Sequence, residues 1–116
     1  MDSDIEKYHD AEIRGIKINR DKDSLDLYVT LANKNNIVIS FVKPVLCDFS
    51  FFRLQNVIYE ISIYKNNTIP DFLLNEYSEL ADISNGFYVN HKIAYINPSV
   101  GLEGIIVFEA LTVKSL

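Results

Sequence analysis

Two histidines, one cysteine and sixteen side-chain carboxylates are the first residues to consider for acid–base, nucleophilic or metal chemistry in this chain. His9 stands directly before Asp10, a pairing in which a carboxylate can orient an imidazole, while His91 lies far along the chain. An adjacent His-Asp pair occurs in metal-dependent phosphohydrolases, but there it belongs to a helical fold with further histidines. Nucleophilic catalysis needs a serine or cysteine, a base and an orienting group together, and no GxSxG turn is present. Cys47, within Pro44-Val45-Leu46-Cys47-Asp48-Phe49, reads as a small buried hydrophobe. The acids fall as Asp-Ser-Asp, Asp-Lys-Asp and singles, without the calcium-loop pattern, and one cysteine with two histidines at unrelated positions does not make a zinc site. Glu60 and Glu109 each interrupt an apolar stretch. A carboxylate pair across neighbouring strands could move protons, whereas a sheet edge, or pairing with Arg53 or Lys92, accounts for them structurally. Gly15, Gly86, Gly101 and Gly104 supply no phosphate-cradling loop. The expectation is a protein without catalytic residues, metal or cofactor. The alternative is a small hydrolase or ligand-binding domain using His9, Asp10 and a carboxylate such as Glu60.

The elements that would position these residues are mostly strands. Leu25, Leu27, Val29 and Leu31 alternate with Asp26, Tyr28, Thr30 and Ala32, the period of a half-buried strand. Ile16 and Ile18 form a shorter alternation before it, with Gly15 marking a bulge and Asn19 to Ser24 as the hairpin loop. Asn33-Lys34-Asn35-Asn36 turns the chain into Ile37 to Val42, apolar on both faces except Ser40 and so expected to be covered on both sides. Pro44 ends that strand or places it on an edge. Asp48 to Leu54 is aromatic-rich and ambiguous, readable as a short strand with a bend, and is not counted among the strands. Gln55 to Tyr64 is a fourth strand, with Val57, Tyr59, Ile61 and Ile63 on one face, and the four form a meander. Phe87 to Ile96 and Gly104 to Val113 complete about six, joined by a turn at Asn97-Pro98-Ser99-Val100-Gly101. Alternation in the last strand predicts a place in the sheet interior.

Between the fourth and fifth strands the spacing changes. Ile69, Phe72, Leu73, Tyr77, Leu80 and Ala81 recur at helical intervals, with Thr68 as N-cap, Asp71 in the capping-box position and Asn85-Gly86 as a stop. The fold class is therefore α+β: a mostly antiparallel sheet and one amphipathic helix, in a single domain over residues 1–116.

Net charge is −5, from 11 lysines and arginines against 16 aspartates and glutamates. Such a field repels phosphates and attracts basic surfaces, and the basic residues are scattered, so nucleic acid is a poor partner. Asp2-Ser3-Asp4-Ile5-Glu6 offers no basic start and apolar run of a secretory signal. The longest apolar runs, such as Gly104 to Phe108, are far shorter than the roughly 20 residues that span a bilayer. With a single cysteine, a reducing cytoplasm is the expected compartment. The helix carries Asp71, Glu76, Glu79 and Asp82 and no basic residue, and Asp2, Asp4, Glu6, Asp10 and Glu12 make the amino terminus acidic too. These acids form either a solvated face or a docking surface for a basic protein, in which charge speeds association and Tyr77 or Tyr88 anchors the complex. A homo-oligomer through an exposed sheet edge is a further possibility.

The opening His9-Asp10-Ala11-Glu12-Ile13, the segment Phe52-Arg53-Leu54-Gln55-Asn56-Val57-Ile58 and the late Gly101-Leu102-Glu103-Gly104 strand share a layout. That layout resembles small bacterial proteins with an "HDA" start and a "QNV" strand, many of which look like immunity proteins of polymorphic-toxin or contact-dependent growth inhibition systems. The resemblance implies a cytoplasmic antidote that binds a cognate toxin domain and blocks its active site. Most such toxins are nucleases with basic surfaces. It implies no catalytic residues. His9, Asp10, Gln55 and Asn56 match recurrent positions, for which a structural role is expected.

Overall fold

The computed structural model describes residues 8–83 and 90–116. Among these, eight strands form one antiparallel sheet: β1 (Glu12–Asn19), β2 (Ser24–Thr30), β3 (Asn36–Val42), β4 (Leu46–Ser50), β5 (Val57–Lys65), β6 (Lys92–Val100), β7 (Glu103–Phe108) and β8 (Ala110–Ser115), in the spatial order β4-β7-β6-β5-β1-β2-β3-β8. Among the described residues, two short helices, α1 (Asp71–Glu76) and α2 (Leu80–Asp82), lie between β5 and β6. The mostly antiparallel sheet with little helix is as expected, but there are eight strands rather than six.

Both additional strands arise from bending. The predicted strand Gly104–Val113 breaks at Glu109 into β7, which pairs with β4 and β6, and β8, which pairs with β3. Likewise the chain leaves β3, passes Lys43 with φ +54 and Pro44, and re-enters the sheet as β4. Glu109 N–H donates to the Val42 carbonyl (3.0 Å) and Val45 N–H to the Val107 carbonyl (2.9 Å), so the two bends lie against each other. The two ends of the strand order are thereby drawn together, and the sheet rolls around one interior.

That interior follows the period-two pattern. Ile13, Leu25, Leu27, Val29, Ile37, Ile39, Phe41, Ile61, Ala94, Ile96, Ile106 and Phe108 are buried in one cluster, with Phe41 and Phe108 edge to face at 5.0 Å. The meander holds for β1-β2-β3 only. β5 sits beside β1 instead of β3, because the first contacts of β5 are made with residues 10–13. Register shifts around Ile58 to Glu60 also change the face assignment in β5: Ile58 joins Ile61 in the interior and Tyr59 is exposed. In β3 Ile37, Ile39 and Phe41 face the cluster, while on the other face Val38 is buried and Ser40 and Val42 are half-buried, with neither described helix packed against them.

Local punctuation differs in detail from the sequence reading. Gly15 does adjoin a register shift in β1. In the β2–β3 turn it is Lys34, not an asparagine, that takes the left-handed region, while the Asn33 side chain accepts the Asn35 N–H at 3.0 Å. Asn97, Pro98 and Ser99 belong to β6, and the turn to β7 comes at Gly101 and Leu102. Pro98 is tolerated there because it lies opposite the irregular stretch of β5. No helix among the described residues is long and apolar enough to cross a membrane.

Candidate functional site

The helical segment is two short pieces rather than one helix. Thr68 does not cap it: its Oγ1 accepts from Lys65 N–H and donates to the Lys65 carbonyl, closing the turn after β5. Pro70 occupies the N-cap position of α1. At Tyr77 the backbone leaves helical geometry (φ −121, ψ 88) and resumes in α2. Asn75 and Ser78 are weak helix formers, and Glu76 lies at a helix C-terminus, where the dipole disfavours an anion.

Leu73, Tyr77, Leu80 and Ile83 point down onto Ile93, Tyr95, Ile105 and Val107, a second buried cluster on the outer face of β6 and β7. Those two strands are therefore apolar on both faces, as the last predicted strand leads one to expect for β7, while β8 lies at the sheet margin. The four helical acids, Asp71, Glu76, Glu79 and Asp82, are all exposed. Among the described residues no lysine, arginine or histidine lies within ion-pair distance of them.

Tyr77, expected as an anchor for a partner, is only 5 % exposed and fills the chain's own second cluster. Tyr88 lies outside the described residues, as do Asp2, Asp4 and Glu6. The aromatic ring that is presented among the acids is that of Phe72, 54 % exposed, which meets Tyr95 edge to face at 5.6 Å. Tyr95 Oη donates to Glu103 Oε2 at 2.6 Å.

Two acids that the sequence reading passed over join this surface. Burial first, and then the charges of Glu103, Asp48, Glu76 and Glu79, push the Tyr77 phenol up to about 12. Burial and the hydrogen bond to Glu103 also raise Tyr95. Carboxylates from α1, from the turn before α2, from β4 and from β7 thus surround one pair of tyrosines. Only strand pairing brings Asp48 and Glu103 there: Asp48 lies opposite Ile105, and Ser50 opposite Glu103. A sequence pattern that leaves β4 undefined contains no signal for them.

Immediately after Ser50, the loop from Phe51 to Asn56 adds apolar area. Phe51 (φ +63), Phe52 and Leu54 are 62 %, 58 % and 106 % exposed. Three large apolar side chains in four consecutive positions are unusual on a surface without a partner. The loop is tied down by Asn56, whose Oδ1 accepts from Arg53 N–H (2.9 Å) and Leu102 N–H (3.0 Å) and whose Nδ2 donates to the Arg53 carbonyl (2.7 Å).

The two short motifs of the sequence turn out to pair with each other. Asp10 N–H donates to the Ile58 carbonyl, Ile58 N–H to Ala11, and Ile13 N–H to Asn56, at 2.8 to 2.9 Å. His9 is half exposed, with Nδ1 at 2.9 Å from the Tyr59 carbonyl, its ring edge-on to Tyr59, and Nε2 at 3.6 Å from Asp10. Gln55 is exposed.

Glu60 and Glu109 do not face each other across neighbouring strands, because β6 lies between β5 and β7. Lys92 Nζ donates to the Glu109 backbone carbonyl at 3.1 Å, while the Glu109 carboxylate lies 3.9 Å from Lys43 Nζ. Cys47 is exposed on β4, contrary to the buried position expected, because β4 is an edge strand. Among the described residues no three His, Cys, Asp or Glu side chains are grouped as metal ligands are. Compared with protein families, curated proteins and solved structures, the chain matches none.

Proposed function

We propose that this chain is an immunity-type inhibitor, a binding protein without turnover that neutralises a cognate toxin domain in the cytoplasm. The observation that carries the reading is a patch of carboxylates next to the exposed ring of Phe72. Glu76 and Glu79, exposed and without an ion-pair partner among the described residues, act on Tyr77 together with the half-buried Asp48 and Glu103, and Asp71 and Asp82 are exposed on the same two short helices. Such a surface is complementary to the basic substrate-binding face of a nuclease. The charges raise the rate of encounter, and a desolvated aromatic anchor slows departure. Phe51, Phe52 and Leu54, held rigid beside Glu103, extend the contact with apolar area.

Co-expression tests this. A toxin domain encoded in the neighbouring reading frame is produced with and without this chain in a sensitive host, and the pair is purified together. The expected outcome is survival only with the chain present and a stoichiometric complex that dissociates at high salt. Survival unaffected by the chain, with no complex, would rule the reading out.

A further inference from the structure

A groove of about 320 Å³ crosses the outer face of β2, β3 and β8, strands that the helical segment does not cover. Its size is at the lower end of the range for small-ligand sites. Strand register builds its floor: Asp26 lies opposite Ser40 on β3, and Ser40 opposite Thr112 on β8, so a carboxylate and two hydroxyls form one row across three strands.

Asp26 is the unusual member. It is only 7 % exposed, although aspartate is disfavoured in strands and the packing of β2 is done on the other face by Leu25, Leu27 and Val29. Among the described residues its carboxylate has one side-chain partner, the Ser24 hydroxyl at 2.9 Å on the same strand, and no cation within ion-pair distance. A carboxylate accepts at about four lone-pair positions, and withdrawing it from water without a cation is unfavourable. Lys17 is its cross-strand neighbour on β1, but among the described residues no cation comes within ion-pair distance of the carboxylate. A ligand cation in the groove would supply the missing partner.

The rest of the lining narrows the class of ligand. Lys22 and Lys114 are exposed and border the same groove, which disfavours a bare cation and favours one accompanied by an anion. Val38 and Val42 offer apolar surface between the charged positions.

We propose that this groove binds a small zwitterion, an ammonium and a carboxylate on a short apolar stem, of the size of a free amino acid. The ammonium donates to Asp26 with Ser40 and Thr112 beside it, the stem lies on Val38 and Val42, and the carboxylate is met by Lys22 or Lys114. This site is independent of the acidic helical surface and of the toxin reading.

The test is a titration of the isotope-labelled full chain, followed by amide NMR, with three probes: leucine, N-acetyl-leucine, which lacks the ammonium, and leucine methyl ester, which lacks the carboxylate. Leucine should give saturable shifts confined to Ser24, Asp26, Ser40, Thr112 and their neighbours. N-acetyl-leucine should bind at least about tenfold more weakly, the methyl ester should also be weaker, and Asp26→Asn should abolish the preference for leucine over its acetylated form. Leucine leaving the spectrum unmoved, either derivative binding as well as leucine, or a folded Asp26→Asn chain keeping the preference would each overturn the proposal. The two derivative arms use the unaltered chain and so decide the matter even if the variant does not fold.

Discussion

Asn56 joins the loop of residues 51–56 to the β6–β7 turn through a single buried amide, and its backbone carbonyl also receives Ile13 N–H. Removing that amide leaves two N–H groups and a carbonyl without partners in a site 2 % exposed. Asn56→Ala should therefore lower unfolding free energy by about 3 kcal/mol in urea denaturation. Asn56→Asp, which retains the acceptor for both N–H groups, should lose less. Gly101 belongs to the same junction: its φ is +86, and a Cβ there would meet Asn56 Oδ1 and the Gln55 carbonyl. The tyrosines give a pH prediction. The Tyr77 phenol is pushed up to about 12 by burial and then by surrounding carboxylates, so its protonated form is favoured in the folded chain. Stability from this group is complete below the unfolded value near 10 and is lost as pH rises from there through about 12. Phenolate absorbance should show a component titrating above the ordinary tyrosine value near 10 that Tyr77→Phe removes, and the same variant should flatten the fall in stability over that window.

β7 and the loop after β4 show how differently apolar residues are used. Ile106 is fully buried in the interior of the rolled sheet, so Ile106→Ala should cost about 2 to 5 kcal/mol, read as a lower urea midpoint at unchanged slope. Leu54 has the same hydrophobic character but is fully exposed, and Leu54→Ser should change stability by no more than about 0.5 kcal/mol while weakening the proposed complex. Hydropathy does not distinguish these two residues, and that marks the limit of what the sequence makes legible here. β2 is readable because Leu25, Leu27 and Val29 alternate along one face that packs in the core, and β3 because a short apolar run bounded by turn residues reads as a strand. The bends at Glu109 and at Lys43 to Val45, and the pairing of β5 with β1, depend on contacts between residues distant in sequence. So does the gathering of Asp48 and Glu103 beside the helical acids. The break at Tyr77 is a local failure of the helical pattern: the spacing of Leu73, Tyr77, Leu80 and Ile83 suits one buried face, but the residues between them do not sustain a helix.

At the scale of the whole molecule, a net charge of −5 is distributed so that one outer face of the rolled sheet carries carboxylates from four separate segments. In the proposed complex, long-range attraction to a basic surface governs how fast the partners meet, and it weakens as salt shortens the screening length. Apolar contacts through Phe72 and the loop of residues 51–56 are proposed to set how long the complex lasts. The most direct test is the association rate between this chain and the basic toxin domain proposed as its partner, measured by stopped flow at low and high salt for the natural sequence and for the combined Asp71→Lys, Glu79→Lys and Asp82→Lys variant. The account predicts a rate at least about tenfold slower for the variant at low salt, with the two converging at high salt. An association rate that is the same for both proteins at low salt would contradict it.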